Sequence, residues 1–315
     1  LSELKNHAII LDADPGIDDA VAMSILFNKR KENIAKVVST YGNIPLEKST
    51  RNALILMTLF KAEHIPLVRG AEKPGSGNAV YEDASYIHGS DGLGGLHESN
   101  LLKDLTIKEL KATEKNIDGD YLKILYDTIK EAGKVDYITL GPMTNLSALI
   151  KKFPDVTERI HQLVVMGGGI GLGNATKYAE FNFYCDAEST QHVMSTVKNI
   201  ILAPIDITTQ VNFSMEQITE IGASGTPLAK IMEYILTANY KQCVAYGEPG
   251  ATMHDSTAIL AYLYPELFEF KTCGIKIECG RERYGESTVT EGNNVQLMTK
   301  TNPAQLLKII SEHLK

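Results

Sequence analysis

The sequence predicts an α/β fold: a mainly parallel central sheet with helices on both faces and long loops at one edge. Two observations predict it. Short apolar runs alternate with longer segments of helical periodicity along most of the 315 residues, which is the signature of βαβ units. Neither a Gly/Ser/Pro-rich linker nor an internal repeat divides the chain, so a single domain spanning 1–315 is expected. A hydrophobic fraction of 43% supplies a sizeable core.

In chain order, strands are expected at 8–11, 34–40, 66–69, 137–140, 163–166 and 200–204. Helical periodicity runs through 20–28, 46–61, 120–132, 144–152, 187–195, 227–246 and 257–264. The tail adds two hairpin-like strands, 274–279 and 286–290, and a closing helix, 303–314. Together these elements describe a Rossmann-like domain. Irregular stretches at 70–105 and 246–254 interrupt the alternation, and loops of that length in a compact domain usually act as lids or binding loops.

Composition narrows the function. Acidic residues outnumber basic ones by 39 to 31, which argues against non-specific nucleic-acid binding. No window approaches twenty uninterrupted apolar residues, so no membrane span is expected. The opening residues are polar and lack a secretory apolar segment. Cys185, Cys243, Cys273 and Cys279 show no CxxC pairing and read as free thiols, consistent with a cytoplasmic protein.

The densest chemistry lies just after the first strand. Asp12, Asp14, Asp18 and Asp19 fall within eight residues, with no Lys or Arg between Asp12 and Phe27. One aspartate could cap the following helix, and Asp14-Pro15-Gly16 could be an ordinary turn. A cap occupies one carboxylate, however, and buried like charges repel. A hard cation bound through oxygen, Ca²⁺ or Mg²⁺, resolves that repulsion. An EF-hand loop does not fit, because its last ligand position would fall on Met23.

Open α/β sheets bind ligands beyond the carboxyl ends of their strands. Gly42-Asn43, Gly141-Pro142-Met143-Thr144-Asn145 and Gly167-Gly168-Gly169 all follow expected strands, so these turns and the aspartates plausibly share one pocket. Asn174, Glu180 and Asn182 suit a polyhydroxylated ligand, although the same segment could be an Asn-rich turn. His254 and Asp255 open a helical run and read either as a loop histidine with an N-cap or as a proton donor with a metal ligand. His88 lies in the glycine-rich segment 87–95. Neither a P-loop nor a GxGxxG fingerprint is present, so the acidic pocket should favour a neutral ligand.

Read in order, these motifs resemble the inosine–uridine nucleoside hydrolases: Asp12-Ala-Asp14-Pro-Gly-Ile-Asp18-Asp19, Gly42-Asn43, Thr50-Arg51-Asn52-Ala53, His88-Gly89, Gly141 to Asn145, Met166 to Gly169, Asn174, Glu180-Phe181-Asn182 and His254-Asp255. The likeness runs from about residue 8 to about residue 265. It implies hydrolysis of the N-glycosidic bond of ribonucleosides with bound Ca²⁺. By resemblance, Asp14 would be the general base. Asp14, Asp19, Asp255, the Leu140 carbonyl and the flanking Asp12 would surround the ion. Asp18, Asn43, Asn174, Glu180 and Asn182 would hold ribose, with Phe181 beside them. His254, His88 and Tyr246 are candidates to assist the leaving base. Gln242 and Tyr246, four apart on one helix, resemble the pyrimidine-preferring branch, with inosine also possible. The resemblance further implies a homotetramer or homodimer. A non-catalytic nucleoside-binding protein and a metal-dependent phosphohydrolase are the rival readings.

Overall fold

Strand β1 (Ala8–Ala13) explains the layering. Ile9, Leu11 and Ala13 join the apolar cluster on one face of the sheet, and Ile10 joins the cluster on the other, as the two-residue period of a strand requires. In β5 (Ile160–Met166), Val164 and Met166 point one way while Leu163 and Val165 point the other. Strands apolar on both faces must be covered on both faces, which is what βαβ crossovers achieve. Helices Ile17–Arg30, Pro227–Ala245, His254–Leu263 and Pro303–Leu314 supply the first cluster. Tyr121–Ala132, Thr144–Lys152 and Ala187–Thr196 supply the second.

The computed structural model describes residues 7–75, 79, 81–103 and 119–315. The polar opening segment 1–6 and parts of the expected 70–105 loop (76–78, 80, 104 and 105) lie outside the described residues. The remaining strands are β2 (Ile34–Ser39), β3 (Leu67–Arg69), β4 (Val135–Thr139), β6 (Ile200–Ala203), the short β7 (Asn212–Phe213) and β8 (Ala251–Thr252), β9 (Phe268–Ile277) and β10 (Ser287–Thr301). Eight of them form one sheet in the order β3-β2-β1-β4-β5-β6-β10-β9. Every neighbouring pair is parallel except β9 with β10. The expected α/β architecture is therefore the observed one.

Boundaries differ where side-chain chemistry overrides periodicity. The first helix begins at Ile17, three residues before the apolar run at Ala20, because Gly16 caps it and Asp19 returns to the Gly16 amide. The tail strands are longer than the expected hairpin. Helices Ile205–Thr208 and Met215–Gly222 were not expected. The second carries a readable start signal, a Ser214/Gln217 capping box.

For function, the strand order matters most. The chain winds outward from β1 to β2 and β3, then returns to start β4 on the other side of β1. A crevice opens at such a switch point, outside the carboxyl ends of β1 and β4.

Candidate active site

The segment leaving β1 turns at Pro15-Gly16 and enters a helix whose first turn carries Asp18 and Asp19. Asn43, on the turn after β2, holds this elbow at two points. Its backbone amide donates to Asp14 Oδ2 at 2.7 Å, and its side-chain amide donates to Asp19 Oδ2 at 3.0 Å. From β4, Gly141 packs so closely that a Cβ there would lie 2.5 Å from Asp14 Oδ1. Only glycine admits that approach.

Capping therefore does occupy one oxygen, Asp19 Oδ2, which accepts the Gly16 amide at 2.8 Å. The other oxygens have no such use. Oδ1 of Asp14, Asp18 and Asp19 is buried without a hydrogen-bond partner among the described residues. Asp18, Asp19 and Asp255 each present an oxygen within 4.8 Å of the others'. Asp255 comes from the first turn of helix His254–Leu263, far along the chain.

The electrostatics agree. Burial pushes the Asp19 carboxyl up to about 7. Burial and then repulsion from Asp19 raise Asp14, and burial and then repulsion from Asp18, Asp19 and Asp14 raise Asp255. Buried, mutually repelling carboxylates with unpartnered oxygens fit a hard divalent cation, which would replace the missing hydrogen bonds and offset the repulsion. Leu140 lines the same cavity, and its carbonyl accepts the Asn182 side-chain amide at 2.7 Å.

A cavity of about 370 Å³ opens above these carboxylates, within the range of small-molecule sites. Asp18, Asn43, His88, Asn174, Glu180, Phe181, Asn182, Tyr246, His254 and Asp255, all expected from the sequence, line it. Several also shape the local backbone. Glu180 caps helix Phe181–Cys185 by accepting the Asn182 and Phe183 amides, and burial pushes its carboxyl up to about 7. Asn174 Oδ1 accepts the Phe181 amide at 2.8 Å. His88 Nδ1 accepts the Ile17 amide at 3.2 Å, and His254 Nδ1 pairs with the Thr208 hydroxyl at 2.7 Å. Burial lowers the pKa of both imidazoles, which favours their neutral forms.

Four expected positions are not among the residues that line the cavity: Asp14 and Asp19 adjoin it through their hydrogen bonds to Asn43, whereas Asp12 and Gln242 lie elsewhere. Asp12 does not line the cavity; its two oxygens accept Tyr137 Oη at 2.8 Å and Asn145 Nδ2 at 2.9 Å, behind the elbow. Both of its oxygens are thereby committed to protein donors, leaving it in a bracing position. Gln242 is exposed and does not line the cavity; its helix presents Asn239 and Cys243 to it instead, and the C-cap residue Tyr246, itself largely exposed, follows on the same side. Sequence reasoning missed Asn239 and Cys243, and also Tyr86, which meets Tyr246 edge-to-face at 5.3 Å, and Thr208, because the cavity wall is built by elements distant in the chain.

Comparison with known proteins agrees with this geometry. Residues 9–308 match the family described as inosine-uridine preferring nucleoside hydrolase. The chain is 30% identical over 317 residues to the pyrimidine-specific ribonucleoside hydrolase RihA of Escherichia coli O1:K1, covering 98% of each. Its fold is similar to that of a plant nucleoside hydrolase, PpNRh1 (TM-score 0.86, 24% identity, 98% and 99% of the two chains). It is equally similar to a purine-preferring ribonucleoside hydrolase from Gardnerella vaginalis (TM-score 0.86, 21% identity, 98% of each). The chain belongs to the inosine-uridine preferring nucleoside hydrolase family, enzymes that cleave the N-glycosidic bond of ribonucleosides.

Proposed function

We propose that this ribonucleoside hydrolase works with bound Ca²⁺ and prefers uridine and cytidine, with inosine a slower substrate. The observation that carries the reading is the buried group of Asp18, Asp19 and Asp255, with Asp14 beside it, whose free oxygens ask for a cation at the cavity floor. Oxygen-only donors favour Ca²⁺ over a softer metal. Asp14, Asp19, Asp255 and the Leu140 carbonyl would hold the ion. When bound, calcium supplies a fixed charge that orients the ribose diol and the attacking water and lowers that water's pKa.

The side chains supply the rest. Asp14 takes the proton from water, a role suited to a carboxylate with one oxygen fixed by the Asn43 amide and the other left free. Asp18, Asn43, Asn174, Glu180 and Asn182 hold the ribose hydroxyls, with Phe181 packing alongside. As the bond to the base breaks, positive charge grows on the ribosyl ring, and the acidic floor stabilises that state more than the neutral substrate. His254, whose Nδ1 is paired with the Thr208 hydroxyl, offers Nε2 to the departing base in the tautomer that carries its proton there; His88 stands as the second candidate.

Two facts support the pyrimidine preference. A 30% identical relative is named pyrimidine-specific, and the Tyr86–Tyr246 pair offers flat surfaces at the cavity mouth. We also propose a single catalytic unit over 1–315, assembled as a homodimer or homotetramer in the cytoplasm. Among the described residues no helix is long and apolar enough to cross a membrane. Light scattering tests the assembly. The central test is reducing-sugar release from uridine, cytidine and inosine, before and after chelation and with Ca²⁺ restored. Full activity after exhaustive chelation would overturn the calcium reading, and a higher kcat/KM on inosine would overturn the preference.

A further inference from the structure

A second cluster of ligating side chains lies at the opposite, amino-terminal end of the sheet. His7 immediately precedes β1, Asp136 is the second residue of β4 and His161 the second of β5. These three strands are neighbours. Asp136 Oδ1 lies 2.8 Å from His161 Nδ1 and 3.5 Å from His7 Nδ1, and all three ligand atoms fall within 4.8 Å of one another. The imidazole centroids are 4.1 Å apart, with the ring planes tilted by 49°.

The backbone is shaped to bring them together. Val135 pairs with Ile160 but Asp136 pairs with Gln162, so His161 is the extra residue of a bulge. A bulge re-aims a side chain that the regular ladder would send elsewhere. The Asp136 carboxylate is itself fixed from behind, since Tyr262 Oη donates to its Oδ2 at 2.8 Å. Arg30 sits over the Tyr262 ring, 5.9 Å from its centroid, and also acts on its hydroxyl.

We propose that His7, Asp136 and His161 form a second metal site, which takes a divalent transition-metal ion such as Zn²⁺. Two imidazoles and one carboxylate are borderline-soft donors that suit zinc and disfavour Ca²⁺ or Mg²⁺. In a tetrahedral zinc site, neighbouring ligand atoms stand roughly 3.3 Å apart, given bonds of about 2 Å. The distances to Asp136, a 2.8 Å hydrogen bond with His161 and a 3.5 Å approach of His7, bracket that value. Asp136 is buried, whereas His161 is 35% exposed, which leaves a solvent side for ion entry and a fourth, water ligand. Tyr262 is the outer hydrogen bond that orients the ligating carboxylate. It stands near the end of the helix that begins with His254 and Asp255, so occupancy of this site braces the helix that carries the active-site carboxylate.

The test is equilibrium dialysis of the full chain against Zn²⁺ under saturating Ca²⁺, with bound metal counted by elemental analysis. Wild type is expected to retain one more equivalent of zinc than His161→Ala. His7→Ala, which alters a position outside the sheet ladder, is expected to show the same loss, and Tyr262→Phe to weaken zinc binding roughly tenfold. With Co²⁺ substituted, the visible d–d absorption of a low-coordinate site should appear in wild type and vanish in both histidine variants. Zinc taken up by the active-site aspartates cancels in the difference, so the result is independent of the calcium reading. Equal zinc retention by wild type and folded His7→Ala would overturn the proposal.

Discussion

Asn43 binds Asp14 through its backbone amide and Asp19 through its side chain, so one residue on the β2 turn fixes two carboxylates of the β1 elbow. Because the Asp14 bond uses main-chain N–H, it survives side-chain substitution at 43, whereas the Asp19 bond does not. Asp14 is thereby held with Oδ2 occupied and Oδ1 free.

Asp14→Asn should lower kcat by about 10²–10⁴-fold, the usual worth of a positioned base. The fold should persist, since removing one of several repelling buried charges relieves the site. Steady-state kinetics with circular dichroism checks this; near-normal turnover would refute the assigned base.

Gly141→Ala probes geometry without touching a charge. Its Cβ would stand 2.5 Å from Asp14 Oδ1 and must displace the carboxylate. Misplacement on the ångström scale costs about 10²-fold in rate. We expect kcat to fall by that order while thermal stability changes little, measured by kinetics and melting on one preparation.

Stability of the chelated protein should fall as pH rises. Asp12 and Asp19 ordinarily titrate near 3.8, and burial moves both to about 7 in the fold. The folded state therefore holds more protons than the unfolded chain between these values, and the favourable contribution, complete below pH 4, is lost on approaching pH 7. A bound cation requires the ionised ligands, so the rise in Tm on adding Ca²⁺ should grow over the same interval. Melting curves at pH 4.5 to 7.5, with chelator and with Ca²⁺, measure both slopes. A stability that rises with pH in chelator would contradict the burial argument.

His254→Ala should reduce kcat/KM by about 10²-fold on nucleosides with poor leaving bases and less on an activated analogue such as p-nitrophenyl riboside. Thr208→Val, which removes only the partner of Nδ1, should show the same substrate-dependent pattern at smaller amplitude. Uniform loss across leaving groups would argue against proton donation.

Tyr246→Ala should act mainly on binding. Stacking of a base on an aromatic ring contributes about 1–3 kcal/mol, so KM for uridine should rise about tenfold or more with kcat little changed. Tyr86→Ala tests the other half of the pair.

Much of this protein was legible because its information is local. The alternation of apolar runs fixed the layers, and Asp12 to Asp19 announced an acidic strand-to-helix turn whatever surrounded it. Asp255 read from its own segment either as an N-cap or as a metal ligand, and its pairing with Asp19 came only through resemblance, since more than two hundred residues separate the two. Other questions belong to packing. Asp12 and Asp14 are only two residues apart, yet Tyr137 and Asn145 occupy both oxygens of Asp12 while Asp14 keeps a free oxygen. No spacing rule separates them, because the partners of Asp12 come from β4 and the helix after it, and that of Asp14 from the turn after β2.

By itself, then, the order of residues determined the α/β class, the first helix's acidic start and the oxygen-rich chemistry, all set by periods of two to four residues. Tertiary structure alone decided which carboxylate oxygens stay unpaired, that Asn239 and Cys243 rather than Gln242 face the cavity, and that Tyr86 meets Tyr246. It also decided that His7, Asp136 and His161 converge. The reason is physical: desolvation and hydrogen-bond satisfaction depend on every atom within a few ångströms, and those atoms come from strands and helices far apart in the chain.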